Sequence, residues 1–242
     1  MTAAPSWRVW DPSVRPSPGE VHVWRLELNH LASHIDAFRP ILSVEERERA
    51  ARFHFEKDSR AYIVSHAILR KLLGHWMGTD PAALAFQHGA KGKPFLLAGP
   101  EFNISHSAHL ALVALSLDRA VGVDIEQIRD RARDAALTAF FSPPEVEELE
   151  SLPENDRPHG FFACWARKEA FLKARGDGIS LGLQNFAVTV DPWLPPRLKW
   201  FDGDAGEPLK WEFRCLPDEP GFASAVCAAG ADWKLFCWNM TE

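Results

Sequence analysis

The 242-residue chain contains no apolar run approaching the roughly 20 residues that cross a bilayer. Its first six residues, MTAAPS, also lack the charged start and apolar stretch of a signal peptide. Both absences predict a cytoplasmic protein that does not enter a membrane. With 46% hydrophobic and 25% charged residues, the composition is that of an ordinary globular chain, long enough for one broad core or two intimate halves.

Cysteine is scarce and shows no pattern. The four cysteines all lie in the second half of the chain and include no CxxC pair: Cys164, Cys215, Cys227 and Cys237. This distribution argues against a structural zinc site and provides no disulfide framework. We expect free, mostly buried thiols.

An excess of positive charge is also missing, since the formal net charge is −6. Residues 1–120 carry 14 Lys and Arg against 12 Asp and Glu, whereas residues 121–242 carry 13 against 21. An acidic chain without a basic tail is a poor candidate for nucleic-acid binding, which needs a basic face to displace counterions. A local cationic pocket for one phosphorylated small molecule remains compatible with this balance.

Hydrophobic periodicity predicts the elements of the fold. Alternation predicts strands at residues 21–26, 121–126, 186–190, 211–216, 222–228 and 233–237, and a nearly continuous apolar run predicts one at 109–117. Helical spacing, capping boxes and glycine stops predict helices at 44–53 (opened by Ser43 and Glu46), 58–76, from 142 onward, and 159–175 (stopped by Gly176). The strands at 109–117 and 121–126 are close enough in sequence to predict a hairpin.

This order of elements predicts an α+β protein of two similar lobes, each an antiparallel sheet with a long packed helix. Residues 1–20, with four prolines, are expected to form a loose arm. We assign residues 21–120 to an N-terminal lobe and 121–242 to a C-terminal lobe, with the active site between them. No internal repeat in the sequence supports the similarity of the lobes.

The segment GVDIE at 122–126 places two acids in a strand-like run. Alternation puts Asp124 and Glu126 on the same face, about 7 Å apart. Two carboxylates at that spacing repel each other unless water or a cation lies between them. Taken alone, the segment favours a half-exposed strand with a polar outer face over a metal site.

Two further segments combine charged or hydroxyl side chains. In WARKEAFLK at 165–173, helical spacing lines up Trp165, Glu169 and Lys173. Taken alone, this stripe favours an ordinary surface pair worth about 0.3–0.5 kcal/mol. In NISHS at 103–107, the hydroxyls could satisfy backbone groups of a polar turn, or they could donate with His106 to a phosphate.

Together these motifs resemble the phosphopantetheinyl transferases, of the longer, two-lobed type that modifies carrier proteins of nonribosomal peptide and polyketide synthases. The likeness rests on NISHS at 103–107, GVDIE at 122–126 and WARKEAFLKARGDGI at 165–179, with support from residues 42–70 and GKP at 92–94. It is strong over roughly residues 40–190 and weak elsewhere. Each motif alone would be weak, but their order, spacing and helix context are specific together.

The resemblance implies transfer of the 4′-phosphopantetheine arm of coenzyme A to a serine of an apo carrier protein, with release of adenosine 3′,5′-bisphosphate. It implies Mg²⁺ held by Asp124, Glu126 and Glu169, since magnesium takes carboxylate, phosphate and water oxygens. It also implies that Glu169 activates the acceptor serine, directly or through a metal-bound water, and that Lys173 holds the diphosphate. The ligand and base roles of Glu169 compete, and the sequence leaves open which one dominates.

The 3′-phosphate of coenzyme A is implied to bind the first lobe, at Arg49, Lys93, Ser105 and His106. Glu46 departs from the family pattern, because relatives often have a basic residue there that helps to bind this phosphate. Either Arg49 or Arg52 compensates, or coenzyme A binds more weakly. A solvated helix charge and a turn charge remain equally simple explanations of Arg49 and Lys93.

The implied partner is a small carrier domain that docks beside residues 135–150, and the resemblance implies a monomer. Phe140 and Phe141 in this segment are either docking or core residues, and each one is better explained as core. Two other functions remain open. One is a Mg²⁺-dependent phosphohydrolase that uses the same three acids, and the other is a non-catalytic protein that binds coenzyme A or a carrier.

Overall fold

The computed structural model describes residues 5–129, 140–178 and 181–240. Its helices are α1 (Leu28–Leu31), α2 (Ile35–Phe38), α3 (Val44–Ala51), α4 (Glu56–Met77), α5 (Pro143–Ser151) and α6 (Arg157–Arg175). Its strands are β1 (Arg8–Val9), β2 (Glu20–Glu27), β3 (Gln87–His88), β4 (Pro94–Phe95), β5 (Glu101–Ser107), β6 (Leu110–Ser116), β7 (Val121–Gln127), β8 (Phe186–Val188), β9 (Leu198–Phe201), β10 (Trp211–Arg214), β11 (Phe222–Ala229) and β12 (Lys234–Met240). The result is a mixed α/β fold with several sheets.

The larger sheet has five strands in the order β1-β12-β2-β6-β5. Helix α4 covers one face of it, because its apolar stripe, which includes Ile63, Leu69 and Leu73, packs against Trp24, Leu26 and other side chains of the sheet. The predicted helix at 58–76 is therefore confirmed, with ends slightly further out, and Gly78 closes it in a left-handed conformation with φ +64°.

A second, three-stranded sheet has the order β10-β11-β7. Helix α6 packs on this sheet through a cluster of buried side chains that includes Ala170, Phe171 and Cys227. The predicted helix stop is confirmed at Gly176, which has φ +83° and closes α6. A third cluster takes buried residues from both sheets, among them Val23 and Val123, so β7 packs against the larger sheet as well.

Local sequence signals at helix starts are also confirmed. Ser43 and Glu46 form the expected capping box at the start of α3, and Ser142 with Glu145 forms another at the start of α5. The four cysteines are free, and Cys215 is the exposed one. Among the described residues, no helix is long and apolar enough to cross a membrane.

The predicted hairpin of residues 109–117 and 121–126 is wrong. Strand β6 pairs with β2 and β5, whereas β7 pairs with β11, a strand that lies about 100 residues later in the chain. Strand β6 has β2 on one edge and β5 on the other, so neither edge is left for β7. The short Asp118-Arg119 connection therefore carries the chain from one sheet to the other.

The arm and the lobe boundary also look different in three dimensions. Part of the arm is held in place, because β1 pairs with β12 and the ring of Trp10 lies edge-on to Trp24. Strand β12, from the end of the chain, lies between β1 and β2 in the larger sheet. The chain therefore returns across the predicted boundary at residue 120, and the division into two similar lobes stays a prediction.

Candidate functional site

Side chains of β5 join this strand to β7 where no backbone ladder does. Alternate residues of NISHS face β7, and their hydrogen bonds are Val123 N–H to Asn103 Oδ1 (2.9 Å), Ser105 Oγ–H to Asp124 Oδ1 (2.7 Å), Ser107 Oγ–H to Glu126 Oε2 (2.9 Å) and Gln127 N–H to Ser107 Oγ (3.0 Å). NISHS is thus a strand and not the polar turn of the simpler interpretation. Its hydroxyls position the two acids of GVDIE.

Asp124 is the most buried acid of the site, with 2% of its surface exposed. Its Oδ1 accepts hydrogen bonds from Lys173 Nζ at 2.6 Å and from Ser105 Oγ at 2.7 Å. Burial is the largest influence on this carboxyl and raises its pKa above the usual range, while the Lys173 ammonium acts in the opposite direction. Its other oxygen, Oδ2, is buried and has no hydrogen-bond partner.

Glu126 and Glu169 complete the predicted acidic set. Both are half-buried, and burial followed by the charge of Asp124 raises the pKa of each. Glu126 accepts a hydrogen bond from Ser107, whereas the buried Oε1 of Glu169 has no partner. The site therefore holds two unpartnered carboxylate oxygens, one from a strand and one from a helix.

Unpartnered buried oxygens are uncommon in folded proteins and call for an explanation such as an ion. Carboxylate oxygens are the ligands that Mg²⁺ prefers, so the donor set of Asp124 and Glu169 fits this ion. Among the described residues, however, no three Asp, Glu, His or Cys side chains are already gathered closely enough to hold a metal. The Lys173 ammonium instead balances part of the negative charge at Asp124.

Helix α6 brings Glu169 and Lys173 to the acids of β7, and Gly122 makes this approach possible. A Cβ atom at Gly122 would come closer to Ala170 O and Ala174 N than real Cβ atoms do. The glycine of GVDIE therefore lets the backbone of α6 lie directly on β7. This contact sets the distance between the strand acid Asp124 and the helix residue Lys173.

The residues predicted to bind coenzyme A extend from this point toward α3 and α4. Arg49 is exposed, and its guanidinium lies 5.4 Å from the centre of the Tyr62 ring. His106 is exposed on β5. Lys93 is different, because its Nζ donates to Val121 O at 3.3 Å and Ala174 O at 3.1 Å and lies 3.7 Å from Glu101.

Glu46 has a structural role. Its carboxylate accepts from the backbone N–H of Ser43 at 2.8 Å and from Nε of the buried Arg70 at 2.7 Å. Arg70 also donates to Pro81 O and Leu84 O. This network holds the start of α3 against α4. The carboxylate of Glu46 therefore stabilises the fold.

A single cleft of about 1220 Å³ connects all of these groups. The predicted site residues that line it are Arg49, Lys93, Ser105, His106, Asp124, Glu126, Glu169 and Lys173. Acidic side chains of β7 and α6 line the cleft together with the exposed Arg49 and His106. Residues about 120 positions apart in the sequence therefore share one solvent-filled space.

The cleft also contains residues that the sequence analysis did not select. Tyr62 and His66 are stacked with ring centres 3.7 Å apart, and both line the cleft together with Lys91. Tyr62 is the sole tyrosine of the chain, and His66 follows it by one helical turn. The four-residue spacing of these two aromatic side chains on α4 could have indicated a second helix stripe that faces the cleft.

The predicted docking segment at 135–150 is described from residue 140 onward, and its residues 135–139 lie outside the described residues. Phe141 is 2% exposed and belongs to the core, as expected. The expected core position is wrong for Phe140, which is 46% exposed and whose ring lies edge-on to Trp165 with the ring centres 6.1 Å apart. Since Trp165 lines the cleft, Phe140 extends an aromatic surface outward from it.

Comparisons with known families define the class of protein. Residues 120–229 match the 4′-phosphopantetheinyl transferase superfamily, and residues 29–117 match the N-terminal region of 4′-phosphopantetheinyl transferases. The chain belongs to the phosphopantetheinyl transferase family and is a transferase of the longer type that carries both regions.

Individual relatives cover most of the chain. It is 33% identical over 240 residues to the 4′-phosphopantetheinyl transferase HetI of a Nostoc species, with 97% of this chain and 98% of that protein aligned. It is 31% identical to a 4′-phosphopantetheinyl transferase of Bacillus subtilis and 28% identical to Sfp of the same species. Each of these two alignments covers 82% of this chain and 87% of the relative.

Proposed function

We propose that this chain transfers the 4′-phosphopantetheine arm of coenzyme A to a serine of an apo carrier protein and releases adenosine 3′,5′-bisphosphate. One observation carries the proposal: the acids Asp124 and Glu169, with Lys173 bound to Asp124, line the same cleft as Arg49 and His106. Such a cleft can hold a ligand that has a diphosphate at one position and another phosphate some distance away. Coenzyme A is a ligand of this kind.

Asp124, Glu126 and Glu169 are the proposed ligands of Mg²⁺. The unpartnered oxygens of Asp124 and Glu169 support this assignment. When bound, Mg²⁺ would neutralise the diphosphate and polarise the phosphorus that is attacked. The Ser105 and Ser107 hydroxyls hold one oxygen of Asp124 and one of Glu126, so these carboxylates are oriented before any ligand arrives.

Glu169 is the proposed base for the acceptor serine. Burial and the charge of Asp124 raise its pKa, and a base whose pKa moves toward neutral accepts a proton from a hydroxyl more effectively at physiological pH. Lys173 is four residues further along α6 and is 27% exposed, so it can exchange part of its contact with Asp124 for a phosphate oxygen. Its charge then stabilises the leaving group.

Arg49, Ser105 and His106 are the proposed contacts for the phosphates of coenzyme A. Arg49 makes no ion pair within the described part of the chain, so its guanidinium can donate hydrogen bonds to a phosphate. The Lys93 ammonium already donates to two backbone carbonyls and lies 3.7 Å from Glu101. It contributes positive potential here, while most of its hydrogen-bonding capacity is already used.

A carrier domain that presents its serine to Glu169 would have to approach the mouth of the cleft beside α5 and α6. The exposed ring of Phe140 next to Trp165 supports docking at this point. The proposal includes two lobes, with the five-stranded sheet in one and the three-stranded sheet in the other. It also includes a cytoplasmic location and a monomeric state.

One experiment separates this function from the alternatives. The protein is incubated with coenzyme A, Mg²⁺ and an apo carrier domain, and the intact carrier is weighed by mass spectrometry. The proposal requires one added phosphopantetheine arm and loss of the product when Mg²⁺ is chelated. Coenzyme A breakdown without a carrier would indicate a phosphohydrolase, and binding without either product would indicate a non-catalytic protein.

A further inference from the structure

The five Lys and Arg side chains that line the cleft are not equally available to a ligand. They are Arg49, Arg70, Lys91, Lys93 and Lys173. Arg70 is committed to Glu46 and two backbone carbonyls, and Lys173 is bound to Asp124 and Ser105. Two of the remaining three, Lys91 and Lys93, belong to the same short turn.

Lys93 uses its ammonium to join three elements. The nitrogen donates to Ala174 O at 3.1 Å and Val121 O at 3.3 Å, and Glu101 lies 3.7 Å away. Ala174 O is one of the last carbonyls of α6, which have no partner within the helix and which favour a cation. Lys93 thus connects the end of α6, the start of β7 and the start of β5.

Lys91 is exposed and lines the same cleft, but within the described residues it makes no hydrogen bond or ion pair. Its Cβ and backbone lie against Gly178, just beyond the end of α6. Its ammonium can therefore reach into the cleft without giving up any existing contact.

The conformation of the turn explains why two lysines so close in sequence differ. Strands β3 and β4 form a small hairpin, and hydrogen bonds from Gly89 N to Lys93 O and from Gly92 N to Gly89 O close the turn at 2.9 Å each. Gly92 has φ +84°, a conformation that a side chain would strain. The chain reverses at Gly92. Lys91 therefore stays exposed, while the Lys93 side chain extends toward Ala174 O and Val121 O.

From these contacts, and resting on the proposed function, we propose a division of roles in the KGK turn: Lys91 binds a phosphate of coenzyme A, and Lys93 is a positioning residue that holds α6 on β7. Through α6, Lys93 keeps Glu169 and Lys173 at their distance from Asp124. Lys91 acts on the ligand directly and leaves that distance unchanged.

The test compares Lys91→Ala with Lys93→Ala, which remove the same charge from the same turn. Binding of coenzyme A and of 3′-dephospho-coenzyme A is measured by calorimetry, and kcat and KM are measured for carrier modification. Lys91→Ala should weaken coenzyme A binding about tenfold or more, because a charged hydrogen bond to phosphate is lost. Lys93→Ala should leave coenzyme A binding within about threefold and lower kcat about tenfold or more.

The two ligands identify the phosphate. A loss confined to coenzyme A assigns Lys91 to the 3′-phosphate, and an equal loss for both ligands assigns it to the diphosphate. Unchanged coenzyme A binding in Lys91→Ala would overturn its role. A loss of coenzyme A affinity in Lys93→Ala with kcat retained would show that Lys93 is the ligand contact instead.

A folding control keeps both halves testable. If Lys93→Ala does not fold, Lys93→Met fills the same space without the ammonium, and failure of both would make Lys93 a purely structural residue and overturn its positioning role. The Lys91 result stands independently of this. If the unaltered protein does not bind coenzyme A at all, the proposed function fails, whereas a reversed pattern in the two variants refutes this inference alone.

Discussion

At the scale of single residues, burial determines the behaviour of the acids in the cleft. Asp124 is almost inaccessible to water, yet among the described residues its one cationic contact is Lys173, and one of its oxygens has no hydrogen-bond partner there. Burying a carboxylate without full compensation costs several kcal/mol per ion. A protein retains such an arrangement when the uncompensated oxygen has a function, and here a cation is the group that suits it.

The first prediction concerns Asp124→Asn, which keeps the shape and removes the charge. We expect the transfer rate to fall at least about a hundredfold, since a metal ligand supplies several kcal/mol of transition-state stabilisation. Far-UV circular dichroism should be unchanged, because the amide can still accept hydrogen bonds. Asp36→Asn, at an exposed helix position, is the control, and a near-normal rate at saturating Mg²⁺ would refute the ligand role of Asp124.

Lys173→Ala tests the helix side of the site. We expect kcat/KM to fall by roughly tenfold to a hundredfold, because both the charge balance at Asp124 and the contact to the leaving phosphate are lost. Lys234→Ala, at an exposed position of β12, removes the same charge away from the cleft and should leave the rate unchanged. Arg175 is a less suitable control, since it is bound to Glu207 and lies over the Phe201 ring. Equal effects of Lys173→Ala and Lys234→Ala would indicate a general charge effect.

His66 predicts a pH dependence of stability. Burial lowers its pKa from 6.5 to about 3, so the folded state keeps the ring neutral while the unfolded chain takes up a proton below about pH 6.5. The unfolded state binds more protons, and stability therefore falls as the pH falls from about 6.5 toward 3. Between pH 7 and pH 5 this contribution reaches up to about 2 kcal/mol.

Chemical denaturation at pH 7 and pH 5 measures this effect. His66→Gln should lose less unfolding free energy between the two pH values than the unaltered protein does. His54→Gln removes an exposed histidine and should behave like the unaltered protein. An identical pH dependence for His66→Gln would show that the ring is not held neutral in the folded state.

At the scale of elements, the contact between α6 and β7 controls the geometry of the site. The predicted bounds of both elements came from local signals, namely the helical stripe, the Gly176 stop and the alternation of GVDIE. Their contact depends on Gly122, where the helix backbone occupies the space of a side chain. No periodicity in the sequence indicates which helix will lie on which strand.

Gly122→Ala should therefore destabilise the protein strongly. The added methyl group would meet the backbone at Ala170 and Ala174, so α6 must move away, at a cost of about 1–3 kcal/mol or more. Thermal denaturation and the transfer rate should both show the loss. Gly89→Ala, where a Cβ would make only an ordinary contact with Lys93 O at 3.6 Å, is the control. An unchanged melting temperature for Gly122→Ala would mean that the packing is looser than the structure shows.

At the scale of the whole molecule, the end of the chain completes the larger sheet. Strand β12 pairs along seven residues with β2 on one edge, and it pairs with the short strand β1 on the other edge. The interior strand β12 therefore joins the C-terminal half of the chain to the N-terminal half, and both halves also line the cleft. Side chains of the slightly positive first half and of the acidic second half line one cleft only after this assembly.

Deletion of residues 234–242 should consequently prevent folding, because β2 loses one of its two hydrogen-bonded neighbours and the buried Cys237 and Trp238 leave the core. A chain that begins at Trp10 lacks β1 but keeps the Trp10–Trp24 contact, and it should remain folded with a modest loss of stability. Circular dichroism and thermal denaturation distinguish the two. A cooperative transition in the chain that ends at residue 233 would contradict the prediction.

The sequence alone determined the local features of this protein. Capping boxes at Ser43 and Ser142, the stop at Gly176 and the alternation of GVDIE act within a few residues, so their outcome depends on nearby atoms only. The family was also readable from sequence, because its three motifs combine in a specific order. The comparisons bear this out.

The tertiary structure alone decided how these pieces meet. Strand β7 pairs with β11 instead of its neighbour β6, since the pairing of strands is set by which buried faces fit together and not by distance along the chain. The hydroxyls of NISHS bind the acids of GVDIE, and Lys93 donates to Ala174 O while Lys91 makes no hydrogen bond within the described residues. Hydrogen-bond partners of this kind are assigned only when separate segments pack. Residue types indicated which chemistry is possible, and long-range packing determined which atoms remain available to perform it.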